Sequence, residues 1–258
     1  MSSSGAHRKH KRFTQGIAVS LPLAPLAGLR CGPMRSAIRL LAELTVTAGL
    51  IIGLLVAHLV WGTGDYTRRE QGHLNDELER QWQAARTRLA ARELAGRATG
   101  KVGAQPVPRS AGHAFAVIRI PRFGTSYHYA VVEGVDLSDL RKGPGHYPGT
   151  AGPGELGNMV ISGHRTTYDA PFNRNGELAR GDQILIDTAT ETFTYRVTGH
   201  TVVRPDAVQV TAPVPFHPGA TPRKRILTLT TCHPKFSAAY RLIVVAELAA
   251  VSPASGSL

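Results

Sequence analysis

Residues 225–248 read RILTLTTCHPKFSAAYRLIVVAEL, two apolar segments rich in β-branched residues that are joined by a short polar connection. Such segments, bounded by Pro, Ser and charged residues, predict two strands at 225–231 and 241–248 that a hairpin-like connection folds back on each other. Cys232 follows the first strand and Arg241 begins the second. We therefore expect both side chains to lie at the same rim of a sheet.

The region from residue 114 onward repeats this pattern of short β segments separated by Gly, Pro, Asn and Asp. No helix of ten residues is indicated there, although 136–142 can form one short helical turn. The glycine-rich segment 141–156 lacks a Gly-Lys-Ser/Thr ending and opens no helix, so it predicts a loop beside a cleft rather than a phosphate site. Seven or more strands in about 135 residues predict an all-β fold, a closed barrel or a sandwich. The other five predicted strands are 116–120, 128–132, 158–162, 183–187 and 192–198.

An uncharged apolar run precedes this β region. Residues 44–61 read LTVTAGLIIGLLVAHLVW, and neighbouring residues extend the run to about 41–63. A helix needs about 20 apolar residues to cross a bilayer core, so we predict a transmembrane signal-anchor helix at 41–63. No small-x-small cleavage site follows it, which favours a retained anchor over a cleaved signal peptide.

The distribution of basic residues predicts the orientation of this anchor. Residues 1–43 hold seven Lys and Arg against Glu43, which accounts for half of the chain's net charge of +12. By the positive-inside rule, 1–40 is a basic cytoplasmic tail and the remainder is extracellular. No dense basic patch or zinc-finger motif accompanies the charge elsewhere, so nucleic-acid binding is not expected.

Between the anchor and the β region we predict a helical stalk and a linker. Leu74, Leu78 and Trp82 recur at four-residue steps in the charged stretch 64–96, which indicates an amphipathic helix. Such a helix can pack on the β domain or on a second copy of the chain. Residues 97–113 are rich in Gly and Pro and predict a linker, and 251–258 a flexible tail. The predicted topology places the only two cysteines, Cys31 and Cys232, on opposite sides of the membrane, so they cannot pair within one molecule.

A lone exported thiol requires a reason, and Cys232 has two plausible partners. Arg241 carries a permanent charge and five donors, with which it can hold a carbonyl or an oxyanion. His164 follows the predicted strand 158–162 and a glycine, and an imidazole there can exchange a proton with the thiol. His146 and His233 are the alternative histidines, and Asp169 is a candidate to orient His164. No His, Cys, Asp or Glu set has metal-ligand spacing, so neither a metal nor a cofactor is expected.

These residues resemble a known family. TLTTC, an Arg nine positions after the cysteine, and the upstream SGHRTTYDAPF are similar to the motifs of sortases, the membrane-anchored cysteine transpeptidases of Gram-positive bacteria. The TLTTC form and the segment GHYPGTAGPGELGNMVISGHRT resemble class E sortases of actinobacteria more than class A, while class D shares TLxTC.

The resemblance implies a closed eight-stranded sortase-like β-barrel over about 114–250. It implies Cys232 as nucleophile, His164 as general acid and base, and Arg241 as the group that holds the substrate. Thr230 and Thr231 either line the substrate groove or serve only in the strand. The implied partners are a sorting-signal peptide, LAxTG-like or LPxTG-like and cut between Thr and Gly, and the amine of a lipid-linked peptidoglycan precursor.

Two other functions remain open from the sequence. One is another exported cysteine peptidase. The other is a non-catalytic cell-surface β domain on a stalk, because a single cysteine is more often a small buried hydrophobe than a reactive group. The stalk also leaves open an oligomer formed through residues 64–96.

Overall fold

The computed structural model describes residues 32–58, 62–96 and 108–254. It divides the chain into two units, Met1–Gly49 and Leu50–Leu258. The first helix, α1 (Gly32–Ala57), is apolar over most of its length. Within the described residues, Met34–Ala57 is the single helix long and apolar enough to cross a membrane, and none of it is buried. Of the predicted basic tail at 1–40, residues 1–31, including Cys31, lie outside the described residues.

The β region forms a closed eight-stranded barrel, which confirms the predicted fold. Around the barrel the strands follow the order β1-β2-β3-β4-β7-β8-β6-β5, with parallel pairing of β2 to β3 and of β4 to β7 and antiparallel pairing elsewhere. The predicted short helical turn is present as α3 (Leu137–Leu140). The strands are β1 (Ala114–Arg119), β2 (His128–Glu133), β3 (Gly145–His146), β4 (Gly157–Ser162), β5 (Gln183–Asp187), β6 (Glu191–Val203), β7 (Arg225–His233) and β8 (Tyr240–Pro253).

Side-chain alternation along the strands fills the barrel interior. Leu227 and Leu229 of β7 pair with Ala246 and Val244 of β8, and all four belong to one fully buried apolar cluster. Residues two apart share a face of a strand, so this set defines the inward face of β7. Thr228, Thr230 and Cys232 therefore lie on the outward face.

Helix α2 (Thr63–Gly96) packs on the outside of the barrel. Leu74, Leu78 and Trp82 are buried in a second apolar cluster with residues of β1 and β2, and Leu78 is fully inaccessible to solvent. The predicted amphipathic face is thus real, and its partner is the β domain of the same chain. Burying a Leu side chain contributes about 1.5–3 kcal/mol, so three such contacts bind the helix firmly to the barrel.

Gln71 of α2 provides hydrogen-bond partners for the backbone edge of β2. Because β3 pairs only with the last two residues of β2, the backbone of Ala130 has no strand partner on that side. The Gln71 side chain replaces the missing strand: its Oε1 accepts from the Ala130 amide at 2.7 Å and its Nε2 donates to the Ala130 carbonyl at 3.2 Å.

Several predicted bounds differ from the structure, and the strand predicted at 192–198 continues to Val203. Helix α1 begins at Gly32, nine residues before the predicted span, because the segment ahead of the apolar run is also helical. The segment 141–156 was predicted to be a loop, but Gly145–His146 forms β3, a strand too short to produce a periodic pattern. Strand β8 continues to Pro253, where Pro253 pairs with Glu191, so the predicted tail begins in the sheet. Residues 97–107 and 255–258 lie outside the described residues.

Candidate active site

Cys232 and Arg241 are direct cross-strand neighbours. In the antiparallel pairing of β7 with β8, Cys232 stands opposite Arg241, one position before the strand end at His233 and Tyr240. Opposed residues of an antiparallel pair project from the same face with Cβ atoms about 4.5–5.5 Å apart. The thiol is free and half-buried. The expectation that the hairpin brings these two side chains to one rim is therefore met by the strand register.

His164 reaches the same rim from β4. Strand β4 runs parallel to β7, with Ser162 beside Thr230, and the amide of Gly163 donates to the Thr230 carbonyl at 3.1 Å. Strand β4 ends at Ser162, so His164 lies two residues beyond its end, just as Cys232 lies two residues beyond Thr230. Because the two strands run in parallel, both residues lie toward the same end of the barrel.

Thr231 fixes the spacing of these two strand ends. Its Oγ1 donates to the Gly163 carbonyl at 2.7 Å, and its side chain is almost fully buried. Thr231 thus joins the backbone just before His164 to the backbone just before Cys232. Thr230 lies on the outward face that carries Cys232, and its side chain is also buried, with 6% of the residue exposed.

The surroundings of His164 favour a neutral imidazole with one nitrogen available. Nδ1 lies 3.4 Å from the Thr167 hydroxyl, and Nε2 is enclosed with no hydrogen-bond partner among the described residues. The ring packs against that of Tyr168, with centroids 4.8 Å apart. Burial lowers the pKa of His164, and the positive charge of Arg141 lowers it further. At neutral pH the group can therefore accept a proton rather than already carry it.

Arg165 is a site residue that the sequence analysis missed. Its side chain is 8% exposed, and Nη1 donates to the Cys232 carbonyl at 3.1 Å and to His233 Nδ1 at 3.0 Å. Burial lowers the pKa of this guanidinium, while attraction to the Cys232 sulfur raises it. The sequence offered one signal for this role, a charged residue directly after a histidine at a strand end. That signal is weak, because most charged residues at strand ends point into solvent.

The Arg241 guanidinium braces its own hairpin. Nη1 donates to the carbonyls of Ala238 and Tyr240, each at 3.0 Å, so the side chain folds along the β7–β8 connection. Arginine has five N–H donors, of which Nη1 supplies only two. The donors on Nε and Nη2 are thus the ones that a substrate could use.

The alternative residues have other partners. His146 is fully buried, with Nδ1 2.7 Å from Glu133 Oε2 and Nε2 2.9 Å from the Ala151 carbonyl, which is a structural arrangement inside the barrel wall. His233 accepts from Arg165. The Asp169 carboxylate accepts from Arg68 at 2.9 Å and from Tyr129 at 2.9 Å. No hydrogen bond joins Asp169 to His164 within the described chain, so it does not orient the imidazole directly.

Acidic, histidine and cysteine side chains do not gather into a metal-binding group anywhere in the described ranges.

Comparison with known proteins gives a consistent result. The family model described as "Sortase domain" matches residues 118–249. Sortase SrtE1 of Streptomyces coelicolor is 29% identical over 84% of this chain and 58% of its own length. The structure of sortase E from Streptomyces avermitilis is 41% identical, with a TM-score of 0.51 over 56% of this chain and 93% of that one.

A third similar protein was solved with a ligand. The crystal structure of sortase E1 from Streptomyces coelicolor with a tripeptide in the active site is 34% identical, with a TM-score of 0.51, and covers 57% of this chain and 94% of that one. These matches confirm the resemblance to class E. The chain spans less than two thirds of the length of the curated SrtE1 relative, which is 58% covered.

Proposed function

We propose that this chain, which belongs to the sortase family of cysteine transpeptidases, cleaves the sorting signal of secreted proteins and transfers the product to an amine. The observation that carries the proposal is the shared end of the barrel. Cys232 stands opposite Arg241 in one strand pair, and His164 follows the end of the neighbouring parallel strand by two residues. A thiol, a base and a fixed cation are the groups that acyl transfer through a thioester requires.

The first half of the reaction forms the acyl-enzyme. His164 takes the proton of Cys232, and the sulfur attacks the carbonyl carbon of the Thr in an LAxTG-like or LPxTG-like motif. Arg241 donates to the oxyanion that develops on that carbonyl oxygen. The C–N bond to Gly then breaks, the protonated imidazole gives its proton to the leaving amine, and the Thr acyl group stays on sulfur as a thioester.

The second half regenerates the enzyme. An acceptor amine, which we take to be that of a lipid-linked peptidoglycan precursor, attacks the thioester carbonyl while His164 accepts its proton. The C–S bond breaks, a new amide forms, and the proton returns to the thiolate of Cys232. Transfer prevails over hydrolysis only if the amine reaches the thioester more readily than water does.

The tripeptide in the active site of the Streptomyces coelicolor relative supports a peptide substrate for this chain. The outward position of Thr230, beside Cys232, makes this hydroxyl our candidate for a contact with the motif. Because Thr231 uses its hydroxyl on Gly163, its role in substrate binding is indirect.

The location that we propose is the cell membrane, with a single crossing by Met34–Ala57. The basic residues ahead of this helix support a cytoplasmic N-terminal side and an extracellular barrel. A tether of this kind concentrates enzyme, substrate and lipid-linked acceptor in one layer, which raises their effective concentration.

A turnover assay tests the proposal. Full-length protein in detergent is incubated with an LAxTG peptide and a soluble amine, and cleaved and transferred products are counted by mass spectrometry. We expect Cys232→Ala to abolish both products and Arg241→Ala to reduce them severely, whereas the matched cysteine variant Cys31→Ala retains both. Equal turnover by wild type and Cys232→Ala would refute the proposal.

A further inference from the structure

The loop after His164 holds an unusual backbone conformation. Tyr168, Asp169 and Ala170 have φ values of 52°, 60° and 45°, three consecutive non-glycine residues in the left-handed region. Each such residue costs on the order of 1–3 kcal/mol and persists only where surrounding contacts hold it. Something outside this loop must therefore stabilise it.

Two of the contacts that hold the loop come from the first turns of helix α2. The Tyr168 amide donates to Thr63 Oγ1 at 3.2 Å, and Arg68 Nη1 donates to Asp169 Oδ1 at 2.9 Å. The second oxygen of Asp169 accepts from Tyr129 of β2 at 2.9 Å. Arg68 is also hydrogen-bonded to Asp65 one turn earlier on α2, so its guanidinium is held from both sides.

From this loop the contacts continue to the imidazole. The Tyr168 ring packs against His164 with a 4.8 Å centroid separation and an interplanar angle of 36°. The Arg141 guanidinium lies over the Tyr168 ring, 5.8 Å from its centroid. Arg141 is in turn attached to α2, because Thr67 Oγ1 donates to its carbonyl at 2.7 Å.

We propose that the start of α2 positions His164, with Arg68 acting through Asp169 and with the Tyr168 ring as the surface against which the imidazole rests. The inference rests on the proposed function, in which His164 exchanges a proton with Cys232. A ring confined on one face is held in one orientation, and proton transfer requires such alignment. Residues 63–68, predicted as the last residue of the anchor and the start of the stalk, are thus part of the catalytic unit, and Arg68, Asp169 and Tyr168 are positioning residues.

The ion pair is tested first, in full-length protein in detergent. We expect Arg68→Ala and Asp169→Asn each to lower kcat about 10-fold to 100-fold, since a misplacement of about 1 Å has effects of this size. KM should stay within about twofold, because none of these residues contacts the substrate in our account. The double variant should be no slower than the slower single variant, because both changes break one contact.

Arg122→Ala is the matched control. Arg122 pairs with Asp182 at 3.3 Å, with side-chain exposures of 45% and 20% that resemble the 57% and 24% of Arg68 and Asp169. This control should leave kcat unchanged. If Arg68→Ala leaves kcat unchanged, or if Arg122→Ala lowers it equally, the proposal is overturned.

Tyr168 gives an independent test that separates ring packing from folding. Tyr168→Phe retains the ring and should keep kcat within about twofold, whereas Tyr168→Leu should match the loss seen for Arg68→Ala. The His164 ring resonance, assigned by its loss in His164→Gln, should shift in Tyr168→Leu and Arg68→Ala but not in Tyr168→Phe.

This NMR readout distinguishes the positioning proposal from the proposed function. It needs no substrate, so the positioning of His164 can be judged even if the protein does not turn over the peptide. An unmoved His164 resonance in both Tyr168→Leu and Arg68→Ala would contradict the positioning role.

Discussion

Arg165 Nη1 lies 3.1 Å from the backbone carbonyl oxygen of Cys232, so the residue that follows the proposed base is hydrogen-bonded to the proposed nucleophile. The same nitrogen donates to His233, the residue after Cys232. Two side chains thereby join the ends of β4 and β7: Thr231 through its hydroxyl and Arg165 through its guanidinium. The two strand ends cannot separate without breaking both contacts.

Replacing Arg165 by Met should weaken both folding and catalysis. The change leaves the part-buried Cys232 carbonyl and His233 Nδ1 without their donor, and a hydrogen bond from a charged group contributes about 1.5–3 kcal/mol. Urea unfolding should show a loss of that order, and kcat/KM should fall. Arg174→Ala removes an exposed guanidinium paired with Glu177 and should change the free energy of unfolding much less, because ion pairs in contact with water contribute little. Equal stability of the two variants would show that the Arg165 contacts contribute nothing.

The imidazole of His164 should titrate below its ordinary value of about 6.5, because burial disfavours the charged form. Arg141→Gln removes a nearby positive charge and should raise the pKa of His164 toward that value, without reaching it, since burial is the larger cause. An NMR titration of the assigned ring signal measures both. A pKa that falls in Arg141→Gln would contradict the electrostatic account of this site.

Leu78→Ala tests whether α2 is an integral layer of the domain. Leu78 is fully buried between the helix and the barrel, so truncation should lower the free energy of unfolding by about 2–5 kcal/mol. Leu137→Ala is the control, since that side chain is 72% exposed and its loss should have little effect. If both variants unfold at the same urea concentration as wild type, the helix does not contribute to the stability of the barrel.

His146→Gln separates the structural histidine from the proposed catalytic one. His146 is enclosed and bonded to Glu133, so the variant should be less stable by about 1–3 kcal/mol. Turnover per folded molecule should remain close to wild type, whereas His164→Gln should lose turnover without a comparable loss of stability. Stability and turnover are measured for both variants. If His146→Gln loses turnover and His164→Gln loses only stability, His146 is the catalytic histidine and His164 the structural one.

The alternation of β-branched residues in the long strands predicted an all-β domain, either a barrel or a sandwich, and the resemblance to sortases indicated the closed eight-stranded barrel. The seven predicted strands all exist. The eighth, Gly145–His146, was missed because two residues are too few to show a period. Strand-end motifs also indicated that Cys232 and Arg241 share a rim, since the short hairpin between them leaves few other arrangements.

The rest of the site depended on contacts between elements that are distant in the chain. The pairing of Arg68 with Asp169 spans 101 positions, and no local pattern marks either residue. The amphipathic face of α2 was visible, but periodicity cannot say whether a helix packs on its own domain or on another copy. Asp169 was considered because it is near His164 in sequence, whereas its carboxylate is taken by Arg68 and Tyr129.

Trapping the acyl group on Cys232 is the most direct measurement of the mechanism. Full-length protein is mixed with an LAxTG peptide in the absence of any added amine, quenched in acid, digested and mapped by mass spectrometry. We predict a mass increase equal to the Thr-terminated fragment on the peptide that contains Cys232, and no such adduct in Cys232→Ala. An acyl group found on a different residue, or peptide cleavage that continues in Cys232→Ala, would contradict the account.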